Sequence, residues 1–125
     1  MTTAEPDKAG PFLRLKGIGK RFGGTVALAD VDWEVDAGEV HCLVGENGSG
    51  KSTLIKIVAG VHTPSKGGRI VVDGVEYDSL TPPQAKELGI QVIYQDLSLF
   101  PNLSVLENIA IDQELGAPTS LVNKR

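Results

Sequence analysis

The amino-acid sequence predicts an α/β fold in which a small antiparallel β region accompanies a strand–loop–helix unit. Three observations carry this. Val40-His-Cys-Leu-Val44 is a mostly apolar run suited to a strand buried on both faces. The glycine-rich stretch 45–50 follows it, after which Leu54, Ile57, Val58 and Val61 recur at the spacing of one helical stripe. Elsewhere apolar residues alternate at period two, and Asp73-Gly74 sits between Ile70-Val-Val72 and Val75-Glu-Tyr77 as a two-residue hairpin signal.

Taken in order, residues 1–11 contain Pro6, Gly10 and Pro11 and few apolar side chains, and read as a flexible tail. Leu13 and Leu15 alternate with Arg14 and Lys16, a short half-buried strand. Gly17, Gly19, Gly23 and Gly24 then predict a turn region around Phe22. Val31, Trp33 and Val35 alternate with acidic residues, the cleanest strand pattern in the chain. Gly60 is placed to stop the helix that begins after Gly50, and Pro64 prevents its continuation. Thr81-Pro-Pro-Gln84 and Ser104-Val-Leu-Glu107 have capping-box spacing and open helices near 82–88 and 105–112. Between them Ile90–Tyr94 reads as a strand. The segment 114–125 completes no recognisable element.

Composition narrows the function classes. Hydrophobic residues are 41% and charged residues 22% of 125, ordinary for a globular chain. The longest unbroken apolar run, Val26–Ala29, is far short of the roughly 20 residues a membrane helix needs. The first residues lack the basic and apolar segments of a secretory signal. A lone Cys42 cannot close an internal disulfide, which fits a reducing compartment. The net charge of −4 argues against a nucleic-acid binder relying on overall basicity. Glycine is in excess: 15 of 125 residues, against about 7% typically.

The chemistry lies where those glycines cluster. Gly45-Glu-Asn-Gly-Ser-Gly-Lys51-Ser52 fits G-x-x-x-x-G-K-[ST], the phosphate-binding P-loop (Walker A). Such a loop wraps a phosphate, so side chains must vanish where backbone amides approach the anion. The next helix aims its N-terminal amides and the positive end of its dipole at the same group. Lys51 adds a full charge for the β/γ oxygens, and the Ser52 hydroxyl can ligate Mg²⁺. Glu46 and Asn47 occupy variable loop positions.

With Gly48 and Thr53, the loop reads G-x-x-G-x-G-K-S-T, and here the sequence resembles the nucleotide-binding subunit of an ABC transporter. Ile90-Gln-Val-Ile-Tyr94-Gln95 resembles that family's Q-loop. The following Leu99-Phe-Pro-Asn-Leu-Ser-Val-Leu-Glu-Asn-Ile109 resembles the segment just beyond it. Phe22, upstream of Lys51, resembles the aromatic residue that stacks on adenine. Gly-Glu-Asn-Gly-Ser-Gly-Lys together with Tyr-Gln-Asp-Leu-Ser-Leu-Phe-Pro is most similar to importers of simple sugars such as ribose, galactose or xylose. Branched-chain amino-acid importers share part of the second segment.

The resemblance implies a partial P-loop NTPase domain of ABC type over residues 12–113, with an antiparallel β subdomain, a strand–P-loop–helix core and an incomplete parallel sheet. It implies ATP and Mg²⁺ as cofactors. Gly45, Asn47, Gly48, Ser49, Gly50, Lys51, Ser52 and Thr53 would hold the nucleotide, with Phe22 on the base. Ser52 and Gln95 would serve Mg²⁺, Gln95 sensing the metal or attacking water and linking it to the membrane partner. It further implies transmembrane permease subunits, a second cassette docked head to tail, an indirect link to a sugar-binding protein, no nucleic acid, and a place on the cytoplasmic face of the membrane.

Family features beyond the Q-loop have no counterpart in the 125 residues: a Leu-Ser-Gly-Gly-Gln-type signature, an Asp-Glu pair on the Walker B strand, and a histidine after His62. The resemblance therefore covers about the first half of one cassette. A phosphate cradle binds nucleotide, but hydrolysis needs a positioned water and a stabilised transition state. The expectation is a chain that binds MgATP weakly, hydrolyses it at background and is marginally stable.

Other residues have simpler readings. Asp73 could end a Walker B strand, but Gly74 makes it a hairpin-turn residue. His41 and His62 lack metal-ligand partners at usable spacing and read as structural or solvated. Cys42 reads as a small buried residue. The alternatives to a sugar-importer subunit are an amino-acid importer ATPase, another P-loop NTPase, a soluble ABC protein or a non-catalytic remnant.

Overall fold

A computed structural model describes residues 10–94 and 99–115 of the chain, with side chains described as far as Ala110. Chain contacts divide it into two compact units between Val92 and Ile93.

The first unit is built on four antiparallel strands: β1 (Leu13–Phe22), β2 (Thr25–Val35), β3 (Arg69–Val72) and β4 (Val75–Tyr77), in the order β2-β1-β3-β4. β1 is central. Leu13 and Leu15 pair with Val35 and Trp33 on one side and with Val72 and Ile70 on the other. Period-two alternation puts Leu13, Leu15, Ile70 and Val72 on one buried face.

β1 runs through the predicted turn region to Phe22, and the turn is confined to Gly23-Gly24. The reason is a bulge. Gly17 has φ +56°, and its N–H donates to Asp32 Oδ1 at 2.7 Å rather than to a ladder carbonyl. Register shifts bracket Ile18 on both sides. They return it to the core face, fully buried, where unbroken alternation would have lost it.

Helix α1 (Lys51–Val58) buries Leu54, Ile57 and Val58 against that face. Its end is a Schellman turn: Gly60 N–H donates to Ile57 O and Val61 N–H to Lys56 O. Val61, predicted on the helical stripe, lies past this turn and is exposed. Gly60 has φ +76°, and a Cβ there would lie 2.4 Å from the Thr81 carbonyl carbon, so the close approach of this turn to the next helix requires glycine. That helix, α2 (Pro82–Glu87), opens with the predicted capping box between Thr81 and Gln84. Ala85 and Leu80 complete the core. Asp73 and Gly74, at φ +48° and +83°, form the β3–β4 turn as predicted.

Two predicted strands are not formed. Residues 40–44 and 90–94 carry no ladder bonds, and Val40, Val44 and Ile93 are about nine-tenths exposed. Cys42, expected buried, is exposed for the same reason. A strand of the fully buried kind exists only between neighbours, and among the described residues no strand lies beside either run. The described sheet is accordingly antiparallel throughout.

The second unit contains helix α3 (Val105–Leu115), opened by the predicted Ser104–Glu107 capping box. Asn108 stabilises the approach. Its Oδ1 accepts from Phe100 N–H at 2.9 Å, while its Nδ2 donates to the carbonyls of Phe100, Leu103 and Ser104.

Candidate functional site

The phosphate loop sits between the ladderless lead-in to Val44 and the first turn of α1. Gly50 caps the helix at φ +93°, and its carbonyl accepts the first helical bond from Leu54 N–H at 2.9 Å. A Cβ on Gly50 would lie 2.5 Å from Ala27 O and 2.7 Å from Leu28 Cδ2, so the loop base is pressed onto β2. Gly48 is also left-handed, at φ +84°, but faces open space. A Cβ on Gly45 would lie 2.6 Å from Ser49 Oγ. Each glycine of the motif therefore has its own reason: helix entry and close packing at Gly50, backbone turn at Gly48, loop closure at Gly45.

Lys51 closes the loop. Its Nζ donates to Gly45 O at 2.5 Å, Glu46 O at 2.7 Å and Ser49 Oγ at 3.2 Å. The ammonium has three donors, and these contacts match them. Ser49 N–H donates to Glu46 O at 3.1 Å, tightening the same curve. Ser52, on the first turn of α1, is exposed, and Thr53 is half-buried. Asn47 is exposed at the loop tip.

Phe22 ends β1 and is 44% exposed. Its ring meets His62 edge to face, with centroids 5.2 Å apart, and Lys20 Nζ lies 5.3 Å from its centroid while donating to Thr63 O at 2.6 Å. Reading the sequence missed His62 and Lys20 as its neighbours, because only the packing of the segment after α1 against the end of β1 joins them. Ser65 N–H to Gly19 O, 2.8 Å, marks that contact. Gln95 lies outside the described residues.

The donor set fits a magnesium–nucleotide complex. Among the described residues no cluster of three His, Cys, Asp or Glu could hold a metal unaided. Mg²⁺ commonly binds by one or two protein oxygens together with nucleotide phosphates, which a single hydroxyl at Ser52 suits. No described helix is long and apolar enough to cross a membrane.

A family model described as ABC transporter matches residues 28–124. The chain belongs to the ABC transporter family. It is 50% identical over 101 residues to the ribose import ATP-binding protein RbsA 1 of Rhizobium etli, covering 81% of this chain and 20% of that protein. It is 47% identical over 107 residues to the D-allose import ATP-binding protein AlsA of Escherichia coli, covering 86% and 21%. This ABC chain thus spans about one-fifth of the length of the curated relatives it matches. Among solved structures, a nucleotide-free ATP-binding cassette from an ABC transporter aligns with a TM-score of 0.62 at 26% identity, over 86% of this chain and 48% of that one. The ADP conformation of MJ1267, an ATP-binding cassette of an ABC transporter, aligns with a TM-score of 0.60 at 34% identity, over 63% and 31%. The α/β, P-loop NTPase fold expected of the family is therefore the fold observed, in part.

Proposed function

We propose that this chain is the nucleotide-holding part of the ATP-binding subunit of an ABC importer for a simple sugar. The observation that carries the proposal is the preformed phosphate loop: left-handed glycines at 48 and 50, and Lys51 arched over the loop at the mouth of α1. An incoming phosphate offers this ammonium anionic oxygens in place of neutral carbonyls, a stronger charge-assisted bond. The loop amides and the N-terminus of α1 receive the remaining oxygens. In this reading Gly45, Asn47, Gly48, Ser49 and Gly50 line the phosphates, and Lys51 binds the β/γ oxygens. Ser52 ligates Mg²⁺, Thr53 approaches the α-phosphate, and Phe22 stacks on adenine. Gln95 senses the metal or water. Bound Mg²⁺ neutralises charge on the phosphate oxygens.

The sugar class rests on the names of the ribose and allose import relatives. The same reading makes permease subunits, a second cassette and, indirectly, a sugar-binding protein the partners, with the subunit peripheral on the cytoplasmic face of the membrane. Composite-site hydrolysis belongs to that assembly, and the 125 residues alone turn over ATP at background.

The test is ligand-induced stabilisation. MgATP at 100 times its Kd should stabilise the chain by about 2.7 kcal/mol. Lys51→Ala should show little or no nucleotide-dependent rise above its own baseline. Equal responses from both proteins, or none from the native chain at millimolar MgATP, would refute the phosphate-loop reading. Deleting the gene in its source cell should abolish uptake of one labelled simple sugar and leave branched-chain amino-acid uptake intact.

A further inference from the structure

Past the end of α1 the chain is anchored at several points. His62 N–H donates to Lys56 O at 3.1 Å, as part of the helix's terminal turn. Pro64 is buried, and Ser65 N–H donates to Gly19 O at 2.8 Å. Lys20 Nζ donates to Thr63 O at 2.6 Å. Gly19 and Lys20 of β1 thus hold the segment 62–65 from the strand side, and α1 holds it from the helix side.

This clamp carries the contacts of one ring. His62 meets Phe22 edge to face, with centroids 5.2 Å apart and planes at 66°, within the range at which tilted aromatic pairs attract. The Lys20 ammonium stands over the same ring at 5.3 Å from its centroid, within reach of a cation–π contact. Lysine has a flexible stem, and the bond to Thr63 O keeps its charged end over the ring. The same ladder also supports the phosphate loop. Lys20 pairs with Leu28, and Gly50 is pressed onto Leu28 and Ala27. Helix α1 begins at that loop and closes into the turn that bears His62. The loop and the ring are therefore built on one frame of β1, β2 and α1.

We propose that His62 and Lys20 are positioning residues for the purine of the bound nucleotide: together they hold the Phe22 ring in one orientation, so that the base meets a stacking surface already set. This rests on the reading of Phe22 as the residue that stacks on adenine. A phenylalanine side chain turns about two torsions, and stacking freezes both. Contacts that restrain them beforehand leave less entropy to be lost on binding. Neither residue needs to touch the nucleotide. Their effect falls on the base, because in the same reading the phosphates engage Lys51 and the loop amides.

The experiment measures binding of MgATP and of magnesium tripolyphosphate, which has phosphates but no base, to the full chain. It is run at 0.15 M salt, where exposed charges more than about 8 Å apart are largely screened. His62→Ala should weaken MgATP about two- to ten-fold, the worth of one aromatic pair, and leave tripolyphosphate unchanged. His62→Phe, which keeps a ring against Phe22, should restore the native value. Lys20→Met, which keeps the stem but loses the ammonium, should weaken MgATP about two- to five-fold, and Lys20→Arg should restore it. In a Phe22→Ala background His62→Ala should cost nothing further, because its effect passes through the ring. Native-like MgATP binding by His62→Ala or by Lys20→Met overturns the inference alone. So does an equal loss of MgATP and tripolyphosphate, or an undiminished loss in the Phe22→Ala background. A Phe22→Ala chain that binds MgATP like the native one overturns the stacking reading and this inference with it. Failure of the native chain to bind MgATP overturns the phosphate-loop reading as well. If His62→Ala does not fold, Lys20→Met and its arginine counterpart decide.

Discussion

Gly48 and Gly50 are both left-handed, yet alanine at the two positions should have different costs. At Gly48 the new methyl meets nothing within 4 Å, so the penalty is the left-handed backbone alone, about 1–2 kcal/mol. At Gly50 the same backbone penalty applies, and the methyl also meets Ala27 O at 2.5 Å and Leu28 Cδ2 at 2.7 Å. The side chain of Leu28 can rotate away, but the carbonyl is fixed in β2. Overpacking of that kind costs roughly 1–3 kcal/mol more, for a total of about 2–5 kcal/mol. Urea unfolding of Gly48→Ala and Gly50→Ala should therefore separate by at least about 1 kcal/mol, with melting temperatures apart by about 4 °C or more. Stabilities equal within about 0.5 kcal/mol would show that the loop base is not pressed onto β2 and refute the packing account. The comparison needs no nucleotide, so it tests the geometry apart from the function.

Three further outcomes follow from other parts of the chain. Thr81→Ala removes the hydroxyl that accepts from Gln84 N–H and should cost about 1 kcal/mol, read by chemical denaturation; an unchanged midpoint would sink the capping account. In α3, the Ser104 backbone N–H and then its hydroxyl hold the Glu107 carboxyl below its ordinary value of 4.5. That stabilisation is present above 4.5 and lost as pH falls through the lower folded-state value, so helicity should decline in that acid range; Glu107→Gln should remove this step from the circular-dichroism profile, whereas Ser104→Ala, which keeps the backbone N–H, should only shrink it. Phe22→Ala should weaken ATP binding by about 1–3 kcal/mol, the usual worth of a base–aromatic stack, whereas Phe22→Trp retains it; equal ATP affinity for the alanine variant would exclude stacking.

What was legible in the sequence was what is decided locally. The phosphate loop is a spacing rule, because glycine, lysine and hydroxyl must stand at fixed offsets for their atoms to converge. The Asp73-Gly74 turn and both capping boxes are equally local, and each formed where its residues predicted. The run 40–44 was not decided locally. Its apolar side chains suit a buried strand, but a strand needs a neighbour, and none stands beside it among the described residues. The continuation of β1 through Gly17 was hidden for a different reason. Glycines there look like punctuation, whereas one bulge, held by Asp32 across the ladder, lets the strand pass. The neighbours of Phe22 are joined to it only by tertiary packing. No motif announces them.

The three bonds from Lys51 to its own loop bear on how the site engages an anion. A cradle already curved around its cation has met most of its ordering cost during folding, leaving less to be lost on association. In the proposed reading, binding amounts to an exchange of partners on the Lys51 ammonium, rather than the assembly of a loose loop. Lysine at this position is therefore a brace as well as a charge, and its removal should leave the loop free to sample other shapes.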